Sequence, residues 1–180
     1  SLGKPAVPAG TDLVVVAGPT GAFLKPELDA LSAYLNQGGR MLVLVDPTLM
    51  QTAGSGLIPT GLSAWLAGYG VRMGENIVVD PPNTLPSYSA QVFFSNRYGN
   101  HPITTPLEQS TLPVLLNLAR SVGAGEAAGR TVTQLLETSE EGWGENSLAR
   151  LENVEKDDAD VAGPVPLGVA VEGQDGAGKR

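Results

Sequence analysis

His101 is the only histidine of the chain, set in the run Tyr98-Gly99-Asn100-His101-Pro102-Ile103-Thr104. An imidazole changes charge near neutral pH, so it suits a general base or a pH-sensitive contact. Asp46 and Asp80 each stand before a proline at the end of an apolar run, and either would serve as the acid that orients it. With Asp46 and His101 on one sheet edge, the chemistry open to these groups is hydrolysis or group transfer on a small polar substrate. The nucleophile is what such a reading lacks. No serine stands in a G-x-S-x-G elbow, and Gly54-Ser55-Gly56 has neither the spacing nor the preceding strand. A structural or ligand-contacting histidine is therefore the preferred reading, and no catalytic residue is expected.

Metal chemistry is poorly supplied. One histidine and no cysteine cannot build a zinc site. The acidic stretch 152–160 lacks the ligand spacing of a calcium loop. Neither a metal nor a cofactor is expected. Gly18-Pro19-Thr20-Gly21 follows the first apolar run, where open parallel sheets bind ligands. It matches neither the dinucleotide fingerprint nor the P-loop, and its proline removes a backbone donor. Asp46 and Asp80 read foremost as turn and cap residues. In Glu137-Thr138-Ser139-Glu140-Glu141-Gly142-Trp143 a tryptophan lies among polar residues. It reads either as a stacking platform for a sugar or partner, or as a ring folded back over a core edge. Thr20, Asp46, Tyr98, His101, Thr138, Ser139 and Trp143 are thus the candidate ligand contacts.

The elements that would position these residues begin with a βαβ unit. Asp12 to Ala17 is a continuous apolar run closed by Gly and Pro, as a strand buried on both faces would be. Lys25-Pro26-Glu27 opens a helix, Leu28, Leu31, Tyr34 and Leu35 recur at helical spacing, and Gly38-Gly39 ends it. A second apolar run, 41–46, predicts a strand parallel to the first. Beyond it the spacing predicts a short helix over 62–69, strands over 71–73, 77–80 and 92–94, and an irregular insertion around 83–111. A helix is expected over 112–122, a strand over 131–136, a polar solvated loop over 140–162 and an edge strand over 165–172. Residues 1–173 form a single domain in this reading, and 174–180 a flexible tail. The expected fold class is α/β, a mostly parallel sheet flanked by helices.

Bulk composition narrows the partners. A net charge of −8 leaves no basic face for phosphates, so no nucleic-acid partner is expected. Hydrophobic residues make up 42% and charged residues 17%, which is globular rather than disordered. The chain opens Ser-Leu-Gly-Lys, without an initiator methionine, and reads as a piece of a longer protein whose membrane anchor lies elsewhere.

Taken in order, the segments DLVVVAGP, LDALSAYLNQGGRMLVLVDP, GVRMGENIVVDP, YGNHPIT, LLETSEEGWGE and GPVPLGVAVE carry a resemblance. Over roughly residues 10–173 they resemble the auxiliary domain of uncharacterised ABC-type transport systems, the family that includes gliding-motility-type auxiliary proteins. The resemblance implies a fold similar to class I glutamine-amidotransferase-like domains without their catalytic apparatus. It also implies an extracytoplasmic location, a membrane-anchored parent, and permease and ATPase subunits as partners. The expected role is non-catalytic recognition of transporter subunits or of an envelope component, such as a carbohydrate or small ligand. Self-association through edge strands stays open beside it.

Overall fold

The computed structural model of the chain describes residues 5–50, 56–148, 154–175 and 178–179. Strand β1 (Val14–Ala17), helix α1 (Lys25–Asn36) and strand β2 (Met41–Leu44) form the expected βαβ unit, with the strands parallel and Val14 opposite Met41. Glu27 reaches back to accept the Leu24 N–H at 2.8 Å, which satisfies one of the free donors at the start of α1. At the other end the Tyr34 hydroxyl donates to the Thr11 carbonyl and accepts the Arg40 N–H. One side chain thereby ties the helix to the approach of both strands.

After this unit the architecture changes. Helix α2 (Leu62–Ala67) is followed by β3 (Val71–Met73), β4 (Ile77–Val79), a 3-10 turn at Pro81–Asn83, β5 (Val92–Ser95) and β6 (Arg97–Tyr98). Next come α3 (Thr105–Gln109), β7 (Val114–Asn117), β8 (Val122–Ala124), β9 (Arg130–Glu137) and β10 (Trp143–Glu145). Strands β11 (Val161–Ala162), β12 (Pro166–Asp175) and β13 (Gly178–Lys179) complete the order. The largest sheet runs β3-β8-β12-β9-β6, with β13 also on β12; β11-β10-β4 form a second sheet, and β5-β7 and β1-β2 are separate pairs.

The expectation of a mostly parallel sheet flanked by helices, similar to glutamine-amidotransferase-like folds, is therefore corrected. Strands predominate over helices, and the sheets are mixed or antiparallel. Among the described strands only β1 with β2, and β12 with β8 at Leu167 opposite Val122, run parallel. The physical reason is local. The βαβ rhythm ends at residue 44, and the apolar runs that follow are three or four residues long, separated by Gly- and Pro-bearing turns too short for a crossover helix.

Two further expectations fail. The expected helix 112–122 is strand β7 instead, paired antiparallel with β5 from Val92 opposite Asn117 to Ser95 opposite Val114. Its apolar triplet fits both periods, and Leu118 at φ 57° ends the run. The expected polar loop 140–162 contains β10, whose Trp143, Gly144 and Glu145 are all buried; 149–153 of that loop and 52–55 of the earlier one lie outside the described residues. In the expected tail 174–180, Gln174 and Asp175 pair with Lys179 and Gly178, while 176, 177 and 180 lie outside the described residues.

The core gathers on β4. Val78 packs with Phe93 of β5 and with Val165, all fully buried, against Leu116, Ala119 and Leu167. Ile77 and Val79 are fully buried as well, so β4 is covered on both faces. Residues that leave β4 at its carboxyl end consequently emerge inside the molecule.

Candidate functional site

The residue that leaves β4 is Asp80, and it is completely buried. Its backbone carbonyl accepts from Asn83 N–H and from the Thr84 hydroxyl, which closes the 3-10 turn. Its carboxylate turns the other way. Oδ1 accepts the Ser139 hydroxyl at 2.6 Å, and Oδ2 accepts the Ser139 backbone N–H at 2.9 Å and the Asn83 side-chain amide at 3.0 Å. Three donors compensate the buried charge where a lone carboxylate would be strongly penalised. The expected role of Asp80 as a local cap is only half of what it does, since it also grips a loop 59 residues further along.

That loop, 138–142, is fixed from its other side too. Thr138 is fully buried, its hydroxyl donating to the Ser139 carbonyl at 2.9 Å and accepting the Val165 N–H at 2.8 Å. A side chain at Gly142 would place its Cβ 2.5 Å from Thr138 Oγ1. One at Gly163 would meet the carbonyl oxygen of Gly142, with those of Ser139 and Glu140 at 2.8 and 2.9 Å. Only glycine fits at these two places. Trp143 then enters β10, pairing with Val79 and Ala162, and is 8% exposed, so its ring is not offered as an open stacking platform. Its indole N–H donates to Glu145 Oε2 at 3.4 Å, and Glu145 Oε1 accepts the Ser147 N–H at 2.7 Å.

What the loop leaves outside is acidic. Glu140 and Glu141 are exposed, and Ser139 is half-buried. Arg97 of β6 bonds Glu137 Oε1 and Glu140 Oε1, both at 3.0 Å. The hydrogen bond from Glu137, with the charges of both carboxylates, raises the Arg97 guanidinium above its ordinary value against an opposing effect of desolvation. The pairs are solvent-exposed, and exposed ion pairs contribute at most about 1 kcal/mol.

Tyr98 and His101 lie beside this region, because β6 pairs with the end of β9: Arg97 opposite Glu137, Tyr98 opposite Leu136. The Tyr98 hydroxyl donates to the Leu112 carbonyl, and burial raises its pKa. His101 Nδ1 accepts the Ile103 N–H at 3.1 Å, whereas Nε2 is buried with no partner among the described residues. Neither nitrogen reaches a carboxylate or a serine hydroxyl there, so the arrangement of Asp46 with His101 that hydrolysis requires is not assembled. Thr20 and Asp46 occupy the turns after β1 and β2, in a different sheet from Asp80 and Trp143, and both are exposed. Gly18, at φ 54°, brings those turns together, its position for a Cβ lying 3.1 Å from Asp46 Oδ2.

Sequence reasoning picked Thr138 and Ser139 but missed that Asp80 holds them. It also missed Arg97 and the buried Arg120, whose guanidinium donates to the Gly74 carbonyl and to Glu75 Oε1. The signal for Asp80 was its place behind the all-apolar triplet 77–79, which sends the next residue inward. No cluster of three or more His, Cys, Asp or Glu that would hold a metal ion is found among the described residues, and no helix there is long and apolar enough to cross a membrane.

A family model described as "ABC-type uncharacterized transport system" matches residues 2–176. Among solved structures, the chain is similar to one described as the mmIFT52 N-terminal domain, with a TM-score of 0.58 and 17% identity over 74% of this chain. The chain spans 58% of that structure's length, and at this identity the likeness concerns the fold alone. No curated protein matches the chain.

Proposed function

This chain belongs to the family of auxiliary domains of ABC-type transport systems, and from that premise we propose that it is a non-catalytic docking module. Its loop 138–142 presents Glu140 and Glu141 to a basic surface on another subunit of the transport system. One observation carries the reading. The buried Asp80 carboxylate holds both the N–H and the hydroxyl of Ser139, so the acidic residues that follow project from a fixed backbone. Preorganised charge of this kind gives a docking surface specificity and faster association rather than great affinity. The chain's net charge of −8 points to a basic partner as well.

An extracytoplasmic position for the domain belongs to the same proposal and is supported by its family membership. Recognition of an envelope carbohydrate has less support, because the aromatic ring expected to stack on a sugar is buried.

Co-purification of the transport complex at 50 and 300 mM salt tests the docking reading. Glu140→Lys combined with Glu141→Lys should abolish the low-salt association while leaving the melting temperature within ~2 °C, since both side chains are exposed. A doubly reversed protein that co-purifies like its parent would sink the idea.

A further inference from the structure

Side chains alternate across a strand, and the register Val15 opposite Leu42, Ala17 opposite Leu44 puts Leu13, Val15, Ala17, Leu42 and Leu44 on one face of the β1–β2 pair. This face is open. Leu13, Val15, Leu42 and Leu44 remain 50, 52, 46 and 50% exposed, while Val16 on the opposite face is buried. A parallel pair left bare on one face is unusual, because strands of this kind are covered on both sides. The crossover helix α1 can cover only one of them.

The size of the patch decides what covers it. Four half-exposed aliphatic side chains offer roughly 300–400 Å². A second copy packed face to face would bury about twice that, short of the ~1,200 Å² at which lasting complexes begin. A tethered segment needs no such area, since its effective concentration reaches the millimolar range. Two strands about 5 Å apart and four residues long leave room for a single helix of ~10 Å diameter. Asp46, exposed and in step with Leu42 and Leu44, places a negative charge at the rim. The fold shared with the solved structure is also built there with more polypeptide, of which this chain spans 58%.

We infer that the open β1–β2 face is an interior surface, covered in the natural gene product by one amphipathic helix of the same polypeptide lying outside residues 1–180. Its apolar stripe lies over Val15, Leu42 and Leu44, with a basic residue toward Asp46. The inference does not depend on the docking role of the loop at 138–142.

The absence of cysteine makes a clean test available. Leu42→Cys, with Leu44→Cys as a second probe and Leu115→Cys of β7 as an exposed control, is labelled with a maleimide in the 180-residue chain and in the full gene product. The 42 and 44 probes should react at least tenfold more slowly in the full product, and the 115 control equally fast in both. Equal rates at position 42 in both proteins overturn the inference. So does protection that appears only with the other transporter subunits present, or that grows with concentration of the 180-residue chain, since these outcomes assign the face to a separate partner or to a second copy.

Discussion

Replacing Asp80 by alanine should be among the most damaging single changes in the chain. The carboxylate takes donors at 2.6, 2.9 and 3.0 Å inside a fully buried site. Hydrogen bonds to a charged group contribute about 1.5–3 kcal/mol each, and a buried donor left without a partner costs about 1–3 kcal/mol. The three are not additive, because Ser139 supplies two of them and the loop can relax toward water. A loss of about 3–5 kcal/mol follows, which for a domain of this size is roughly 8–15 °C in melting temperature. Asparagine at position 80 keeps one acceptor and can donate to the Ser139 hydroxyl, so Asp80→Asn should cost only about 1–2 kcal/mol. Urea unfolding of Asp80→Ala, Ser139→Ala and the double variant gives the coupling directly. We expect 1–2 kcal/mol of coupling. An Asp80→Ala protein within 1 kcal/mol of its parent, or strictly additive with Ser139→Ala, would refute the claim that this carboxylate holds the loop.

Gly163→Ala should fail to give soluble protein, or should melt at least 10 °C lower, because its Cβ would lie among three backbone carbonyls that cannot all retreat. Arg120→Met removes a guanidinium that is only 4% exposed and leaves the Gly74 carbonyl without that donor, so calorimetry should show a loss of about 2–3 kcal/mol. Tyr98 gives a pH dependence whose sign is fixed. Burial raises its folded pKa above the ordinary value of 10.0, so its contribution is complete below pH 10 and is lost as pH rises from there through the folded value. Tyr98→Phe should lack that part of the alkaline loss, and a parallel alkaline decline in both proteins would count against the assignment.

Legibility in the sequence followed locality. The βαβ unit could be read because each of its signals, the apolar runs, Pro26 and the paired glycines, lies next to the element it governs. Strands β3 to β5 were readable for the same reason. The antiparallel body was not, since its partners are set by distant pairings such as Val79 with Trp143, and a three-residue apolar run carries no record of its neighbour. Trp143-Gly144-Glu145 looked solvated because two of three residues there are glycine and a carboxylate; its burial depends on β4 arriving alongside. The candidate site divided likewise. Ser139 stood out beside the odd tryptophan, while its bond to Asp80 spans 59 residues and has no local mark.

The burial of β4 has a consequence for how the chain acquires its structure. Ile77, Val78 and Val79 are covered on both faces, yet the strand that pairs with them, β10, and Val165, which packs on Val78, belong to the last quarter of the chain. During synthesis the βαβ unit can close early, whereas this apolar triplet waits until most of the polypeptide has emerged. Pairings of such sequence separation place folding in the millisecond-to-second range, with an adhesive strand exposed meanwhile. Chaperone capture and off-pathway association should therefore centre on residues 77–79, and conditions that slow the arrival of β10 should lower the yield more than the final stability.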